Sequence, residues 1–163
     1  MDNDFADIFI KFDKFQGESD DQAHKKEIEV TSFSIGVDQA SSFSVGQGGG
    51  VGKSVFRNLV FTAKTSIATP KFIIGCATGE VYDTVTLTAR KAGAKQHDYL
   101  TWEFKKCMIN SVTVAGSGSA SLPDDSVSLS YTELKVSYKP QTAEGTMGGV
   151  VAAGYDLKKN VAV

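Results

Sequence analysis

Apolar residues recur at every second position along much of this chain, and the parity of that recurrence changes inside several runs. From Asp4 to Phe12, Ile8, Ile10 and Phe12 share one side, while Asp7, Phe9 and Lys11 share the other, which predicts a first strand. Asp13 to Lys26 is polar and broken by Gly17, and reads as a surface loop. Glu27 to Val37 predicts a second strand whose phase shifts midway: Ile28 and Val30 have one parity, Phe33, Ile35 and Val37 the other. Ser54 to Ala63 predicts a third, with Val55, Leu59 and Phe61 on one face and Phe56 and Val60 on the other, so both faces are expected to be covered. Thr69 as cap, Pro70 at the first position and Gly79 at the close bound one short helix with an apolar stripe of Phe72, Ile73 and Cys76. Val81 to Arg90 alternates cleanly, with Val85, Leu87 and Ala89 inward and Thr84, Thr86, Thr88 and Arg90 outward. Tyr99 to Val114 and Val127 to Tyr138 each change phase again, the second between Tyr131 and Leu134. A small-residue stretch from Thr142 to Gly154 leads to a last strand, Tyr155 to Val161.

A strand exchanges its buried face only through a bulge or a bend. Repeated exchange predicts strands that pass from one sheet to another, as in barrels and orthogonal sandwiches. The expectation is a mainly β fold: one β-barrel or sandwich of two sheets over residues 1–163, with a single helix at about residues 70–78 and an extended glycine-rich loop. At about nine residues the helix does not hold alone in water and must pack on the sheets.

Composition narrows the classes. A net charge of −2 gives no overall pull toward nucleic acid or membrane. The acidic start, Met1-Asp2-Asn3-Asp4, lacks the basic and apolar parts of a signal peptide. Two cysteines, Cys76 and Cys107, are too few for a disulfide scaffold and read as buried thiols. The two histidines, His24 and His97, lack the spacing of a zinc site. Glu18, Asp20 and Asp21 do not have the pattern of a calcium loop. A Cys76–histidine nucleophile pair conflicts with the place of Cys76 on the apolar stripe.

The stretch Gly46-Gln47-Gly48-Gly49-Gly50-Val51-Gly52-Lys53-Ser54 imitates a phosphate-binding loop. The pattern, however, requires glycine at position 47, where Gln47 stands, and a helix must follow. Val55-Phe56 begins a strand instead. A long loop almost free of side chains suits a connector that lies flat against another molecule. The residues define no catalytic constellation, and the chain is expected not to be an enzyme or to hold a cofactor or metal.

The ordered set Gly17-Glu18-Ser19, His24, Glu27-Ile28, Ser34-x-Gly36, the glycine loop ending in Gly52-Lys53, Thr69-Pro70, Cys76-Ala77-Thr78-Gly79, Arg90-Lys91-Ala92-Gly93, Tyr99-Leu100, Tyr138-Lys139-Pro140-Gln141 and Gly154-Tyr155-Asp156-Leu157 resembles the Hcp (haemolysin-coregulated protein) family of bacterial type VI secretion systems. The likeness spans essentially the whole chain; Phe33 stands where the family has tryptophan. The resemblance implies a β-barrel subunit of a hexameric ring with a wide channel. Rings stack into a tube driven by a contractile sheath behind a spike protein of the valine-glycine repeat type, and effector proteins ride in the channel. It implies a cytoplasmic protein that is then fired into the extracellular space or a target cell, with no nucleic-acid or membrane partner. On that basis Gly46, Gln47, Gly48, Gly49, Gly50, Val51, Gly52 and Lys53 are assigned to ring stacking. Ser32, Ser34, Ser117 and Ser119 are assigned to the channel, and Arg90 and Lys91 to the subunit interface. The competing readings are a monomeric ligand-binding β-barrel, for carbohydrate or lipid, with an apolar cavity between its phase-shifted strands, and a nucleotide-dependent enzyme using Lys53.

Overall fold

The computed structural model describes residues 6–40, 52–91, 96–142 and 147–163. In chain order they form β1 (Ala6–Phe12), β2 (Ile28–Val30), β3 (Ser32–Ser34), β4 (Val37–Asp38), β5 (Val55–Phe56), β6 (Leu59–Lys64), α1 (Thr69–Thr78), β7 (Val81–Lys91), β8 (Asp98–Ala115), β9 (Asp124–Ser130), β10 (Glu133–Tyr138), β11 (Val151–Asp156) and β12 (Val161–Ala162). All strands but β4 and β5 belong to one antiparallel sheet that folds over on itself into two layers. One layer runs β12-β11-β10-β8-β7-β1-β2; the other runs β3-β6-β9 and joins the first through β8. Among the described residues the long path ends at β12 and β2 without closing, so the sandwich form of the expected fold is the one present, with one helix.

The predicted phase changes are the places where strands cross between layers. The second expected strand is β2, β3 and β4: Ile28 and Val30 pair across to β1, and after Thr31 the chain pairs with β6. The fifth is β8, whose Lys106 takes a left-handed φ of 49° in mid-strand. That one residue shifts parity, so Phe104 on one side and Cys107 and Ile109 on the other all face the core. The sixth is two strands, β9 and β10, split at Tyr131–Thr132 opposite the same corner. The last expected strand is a hairpin: β11 begins earlier, at Val151, inside the small-residue stretch, and turns at 157–160 into β12. The segment 13–26 is not a plain surface loop, because Ser19 and His24 in it are buried. The third strand is likewise only half covered. Leu59 and Phe61 are buried, but Val60, on the opposite side of β6, and Val55, in the two-residue β5, are exposed.

The interior is filled by aromatic rings. Phe12 meets Tyr82 edge-on with centroids 5.1 Å apart, and Phe61 meets Phe72 at 5.7 Å. Phe72 brings the helix to this cluster. Thr69 does not cap α1; it is the first helical residue, after Ala68, and no side-chain cap is present. Its hydroxyl instead donates to Asp125, a fully buried carboxylate of β9 that also accepts from Thr65 Oγ1 at 2.8 Å. An acidic side chain from β9 thus takes up the Thr69 hydroxyl at the helix start. Pro70 lies in the first turn, and Gly79 closes the helix at φ 65°, both as expected. The buried face of α1 is Thr69, Phe72 and Gly75, while Ile73 is exposed. The reason is Gly75: a Cβ there would overlap the Tyr82 hydroxyl, so glycine lets this face approach the sheet.

That hydroxyl is buried and has no hydrogen-bond partner among the described residues. Gly75→Ala is therefore expected to destabilise the chain by about 1–3 kcal/mol through overpacking. Tyr82→Phe should be neutral or stabilising, because it removes an unsatisfied polar group. The double variant should melt at or above the parent chain, since alanine favours a helix by about 1 kcal/mol over glycine. Thermal unfolding of the four proteins measures this; an unperturbed Gly75→Ala single variant would contradict the packing.

Candidate functional site: a hydroxyl-lined sheet face

Serines and threonines alternate with core residues in β3, β6, β9 and the second half of β8. Residues directly opposite one another in an antiparallel pair share a face. The register therefore lines up two rungs across the four strands. One is Ser32, Thr62, Ser126 and Thr113; the other is Ser34, Val60, Ser128 and Ser111. Seven of these eight positions carry a short hydroxyl and none a charge. The inward neighbours Phe61, Val127 and Leu129 are fully buried, which fixes the rungs on the outer side. Ser32 Oγ and Thr62 Oγ1 are 2.6 Å apart, and Asn58 Nδ2 donates to Ser128 Oγ at 3.2 Å. The next rung is ionic, with Lys64 Nζ 2.7 Å from Asp124.

Both margins of this face are open among the described residues. β3 pairs only with β6. β7 leaves β8 at Met108, and from Ile109 onward β8 pairs with β9 alone. Each margin is a row of backbone donors and acceptors without a ladder partner, which a free-standing sheet ordinarily blunts or covers.

Ser32 and Ser34 thus lie together on this face. Ser117 and Ser119 do not: they sit in the exposed loop beyond Ala115, bonded to each other at 2.8 Å. Gly46 to Val51 lie outside the described residues, whereas Gly52 and Lys53 are described and exposed. Gly52 N donates to Ala40 O at 3.2 Å, and Gln39 Nε2 bonds Gly52 O. Below them β4 and β5 pair through Val37–Phe56 and Asp38–Val55, and Phe56 stacks on Tyr155 at 5.0 Å. Ala40 and Gly52, on either side of residues 41–51, therefore sit together on a short hairpin stalk anchored on β11.

Arg90 and Lys91 separate. Lys91 is exposed and donates to Gln141 at 3.2 Å. Arg90 is 4% exposed, and its guanidinium is taken up within the chain: NH1 and NH2 bind the two oxygens of Asp21 at 2.8 and 2.7 Å, and NH2 binds Asp7 at 3.0 Å. The outward position on β7 is covered because the 13–26 segment folds back over it. The Arg90 bonds hold the Asp21 carboxyl down at about 2, and Asp21 in turn raises the guanidinium. This network is not legible in the sequence, because Arg90 and Asp21 lie 69 positions apart. Burial pushes the Cys107 thiol up to about 12, as suits an inert core residue. Among the described residues no group of three metal-ligating side chains gathers.

A cleft of about 560 Å³ lies beside the 13–26 segment, lined by Asp7, Glu18, Glu29, Lys64 and Arg90 among others. It is not the apolar interior cavity that a lipid or carbohydrate barrel requires, since the space between the layers is occupied by the aromatic core. A hydroxyl-lined outer face with two strand edges that lack a ladder partner among the described residues is the surface of this fold that suits a neighbouring chain. A family model described as "Type VI secretion system effector, Hcp" matches residues 9–138. "Protein hcp1" of Pseudomonas aeruginosa is 38% identical over 158 residues, covering 96% of this chain and 98% of that protein. Among solved structures, one described as a type six secretion system protein superposes with a TM-score of 0.93 at 28% identity over 98% of this chain and all of the other. Hcp1 from Salmonella typhimurium gives 0.80 at 31% identity over the whole of both. The chain belongs to the Hcp family, and it is a structural tube subunit of the type VI secretion system.

The Arg90 network generates a pH prediction. A carboxylate whose folded pKa lies below its ordinary 3.8 adds stability that is present above 3.8 and lost as pH falls through about 2. Acid unfolding followed by Trp102 fluorescence should therefore steepen below pH 3.8, and Asp21→Asn should remove that part of the pH dependence. Arg90→Met, which leaves the partly exposed Asp7 and Asp21 carboxylates without their cation, is expected to cost about 1–3 kcal/mol at neutral pH. A loss below half a kcal/mol in denaturant titration would contradict it.

Proposed function

We propose that residues 1–163 form one tube-building unit, that six copies close head to tail into a ring, and that the hydroxyl-lined face of each copy looks into a shared channel. The observation that carries this is the pair of different open edges, β3 and the second half of β8, on opposite margins of one uncharged face. A closed ring requires two unlike patches that meet and a rotation that completes the circle. Strand addition at such edges supplies main-chain hydrogen bonds and continues the hydroxyl rungs from copy to copy. A wall of short, uncharged side chains imposes little selectivity by charge, which suits passage of varied effector proteins.

In this reading, the glycine stretch Gly46 to Lys53 contacts the next ring, and the β4–β5 hairpin lies below its described end, Gly52 and Lys53. Lys91 is the exposed member of the basic pair available to a neighbour, while Arg90 acts from inside by holding the 13–26 segment. The spike protein and contractile sheath meet the tube at its tip and outer wall. The chain performs no catalysis; it waits in the cytoplasm and leaves the cell as part of the fired tube. A lone ligand-binding barrel is disfavoured by the filled core.

Native mass spectrometry should give a particle of six times the 17.4 kDa chain mass. Ser34→Asp combined with Ser111→Asp places like charges at both margins and should yield folded monomers; persistence of the full ring would sink the edge-pairing reading. Deleting Gly48 to Gly50 should leave the ring mass unchanged and reduce stacking into tubes and secretion. Normal tubes from that deletion would remove the loop from assembly.

A further inference from the structure

His24 is 6% exposed and stacks on Phe9, ring centroids 4.4 Å apart and planes 9° apart. Its Nδ1 is 2.7 Å from Glu27 Oε2, and its Nε2 is 2.9 Å from Asp98 Oδ1. Ionised carboxylates only accept hydrogen bonds, so both ring nitrogens must donate, and the ring must carry two protons. A neutral imidazole satisfies one partner only. Its remaining lone pair then faces a carboxylate oxygen at bonding distance, in a place water does not reach freely.

The charged groups around the ring come from four elements. Glu27 directly follows the 13–26 segment, Asp98 begins β8, and Asp21 Oδ1 accepts from His24 N at 3.1 Å. Arg90 of β7 lies over the Phe9 ring at 5.1 Å and is bound by Asp7 of β1 and by Asp21. Lys25 and Lys26, next in the chain, are exposed. Four carboxylates thus share two cations, and loss of the His24 proton deepens an existing excess of negative charge. Burial by itself disfavours the charged ring, but the bonds to Asp98 and Glu27 and their charges outweigh it, and the ring titrates above its ordinary 6.5.

We propose that doubly protonated His24 is a proton-dependent clamp fastening the 13–26 segment to the start of β8, and that this corner loosens when the ring is deprotonated. Asp98, the more exposed partner, is the bond that lets go first, because its carboxylate can turn to water. The corner also lines a cleft of about 460 Å³ with Gln22, Ala23, His97 and Lys139, so the surface offered there follows pH. A group raised in the folded state stabilises fully below 6.5, and its contribution is lost as pH rises through the folded value.

His97→Gln leaves one imidazole in the full-length chain, and ring-nitrogen NMR then reads its protonation directly. The clamp predicts both nitrogens protonated at pH 6.5 and a midpoint above 6.5. It also predicts amide exchange across 19–27, corrected for intrinsic rates, that increases about tenfold for each pH unit between 6.5 and that midpoint. Asp98→Asn should lower the midpoint and flatten the exchange profile, which a merely space-filling histidine would not do; Glu27→Gln reads the same if that variant is unstable. A singly protonated ring at pH 6.5, a midpoint at or below it, or exchange indifferent to the titration would overturn the proposal.

Discussion

A long strand that serves two layers must change which of its sides is buried, and it must do so without stranding backbone groups in the core. β8 spans Asp98–Ala115 and solves this at one residue. Lys106 accepts a left-handed backbone, a conformation that costs a non-glycine residue on the order of 1 kcal/mol. The opposing corner absorbs what that leaves over: Thr132 bonds Lys105 O through both its amide, at 3.0 Å, and its hydroxyl, at 2.9 Å. Tyr131, next to it, reaches across to Arg57 O at 2.9 Å. Side chains before and after the bend therefore point into the same aromatic core.

What the bend does to the exterior matters more for function. Beyond Met108, β8 has left both β7 and β10 and keeps only β9, so the end of the strand is an open margin. The crossing at Thr31 does the same for β3 on the other side. Between these margins the register aligns hydroxyls into rungs, while the apolar partners of the same strands fill the core. Burial on one side and assembly on the other are thus two results of one alternating pattern. The 13–26 segment, fastened by Arg90 and His24, covers the first layer and leaves the second bare.

Much of this was legible in the sequence because alternation of period two is a direct image of a pleated strand. The parity shifts at Val30/Phe33, Phe104/Cys107 and Tyr131/Leu134 located the three corners, and Pro70 and Gly79 bounded the helix. Failures came where a distant residue decided the outcome. Asp125 took over the start of α1 from the expected Thr69 cap, and Gly75 turned Ile73 outward. Arg90 had the parity of an exposed residue but was buried by a loop 69 positions earlier in the chain. The hydroxyl face was half visible: Ser32 and Ser34 were read as a pair, but their alignment with Ser126, Ser128, Ser111 and Thr113 needs the strand register. Ser117 and Ser119 matched that chemistry in composition only.

Ring closure requires the β3 edge of one copy to meet the β8 edge of the next. Ser34 and Ser111 stand at opposite ends of one rung, three strand spacings apart, or roughly 14 Å. A disulfide requires Cα atoms within about 7 Å, so cysteines at these two positions do not bridge within a chain. In a background with Cys76 and Cys107 replaced by alanine, oxidation of the Ser34→Cys, Ser111→Cys protein should give a ladder of linked multimers that stops at the hexamer. A product that stays monomeric under the same oxidation, at a concentration where native mass shows intact rings, would contradict it.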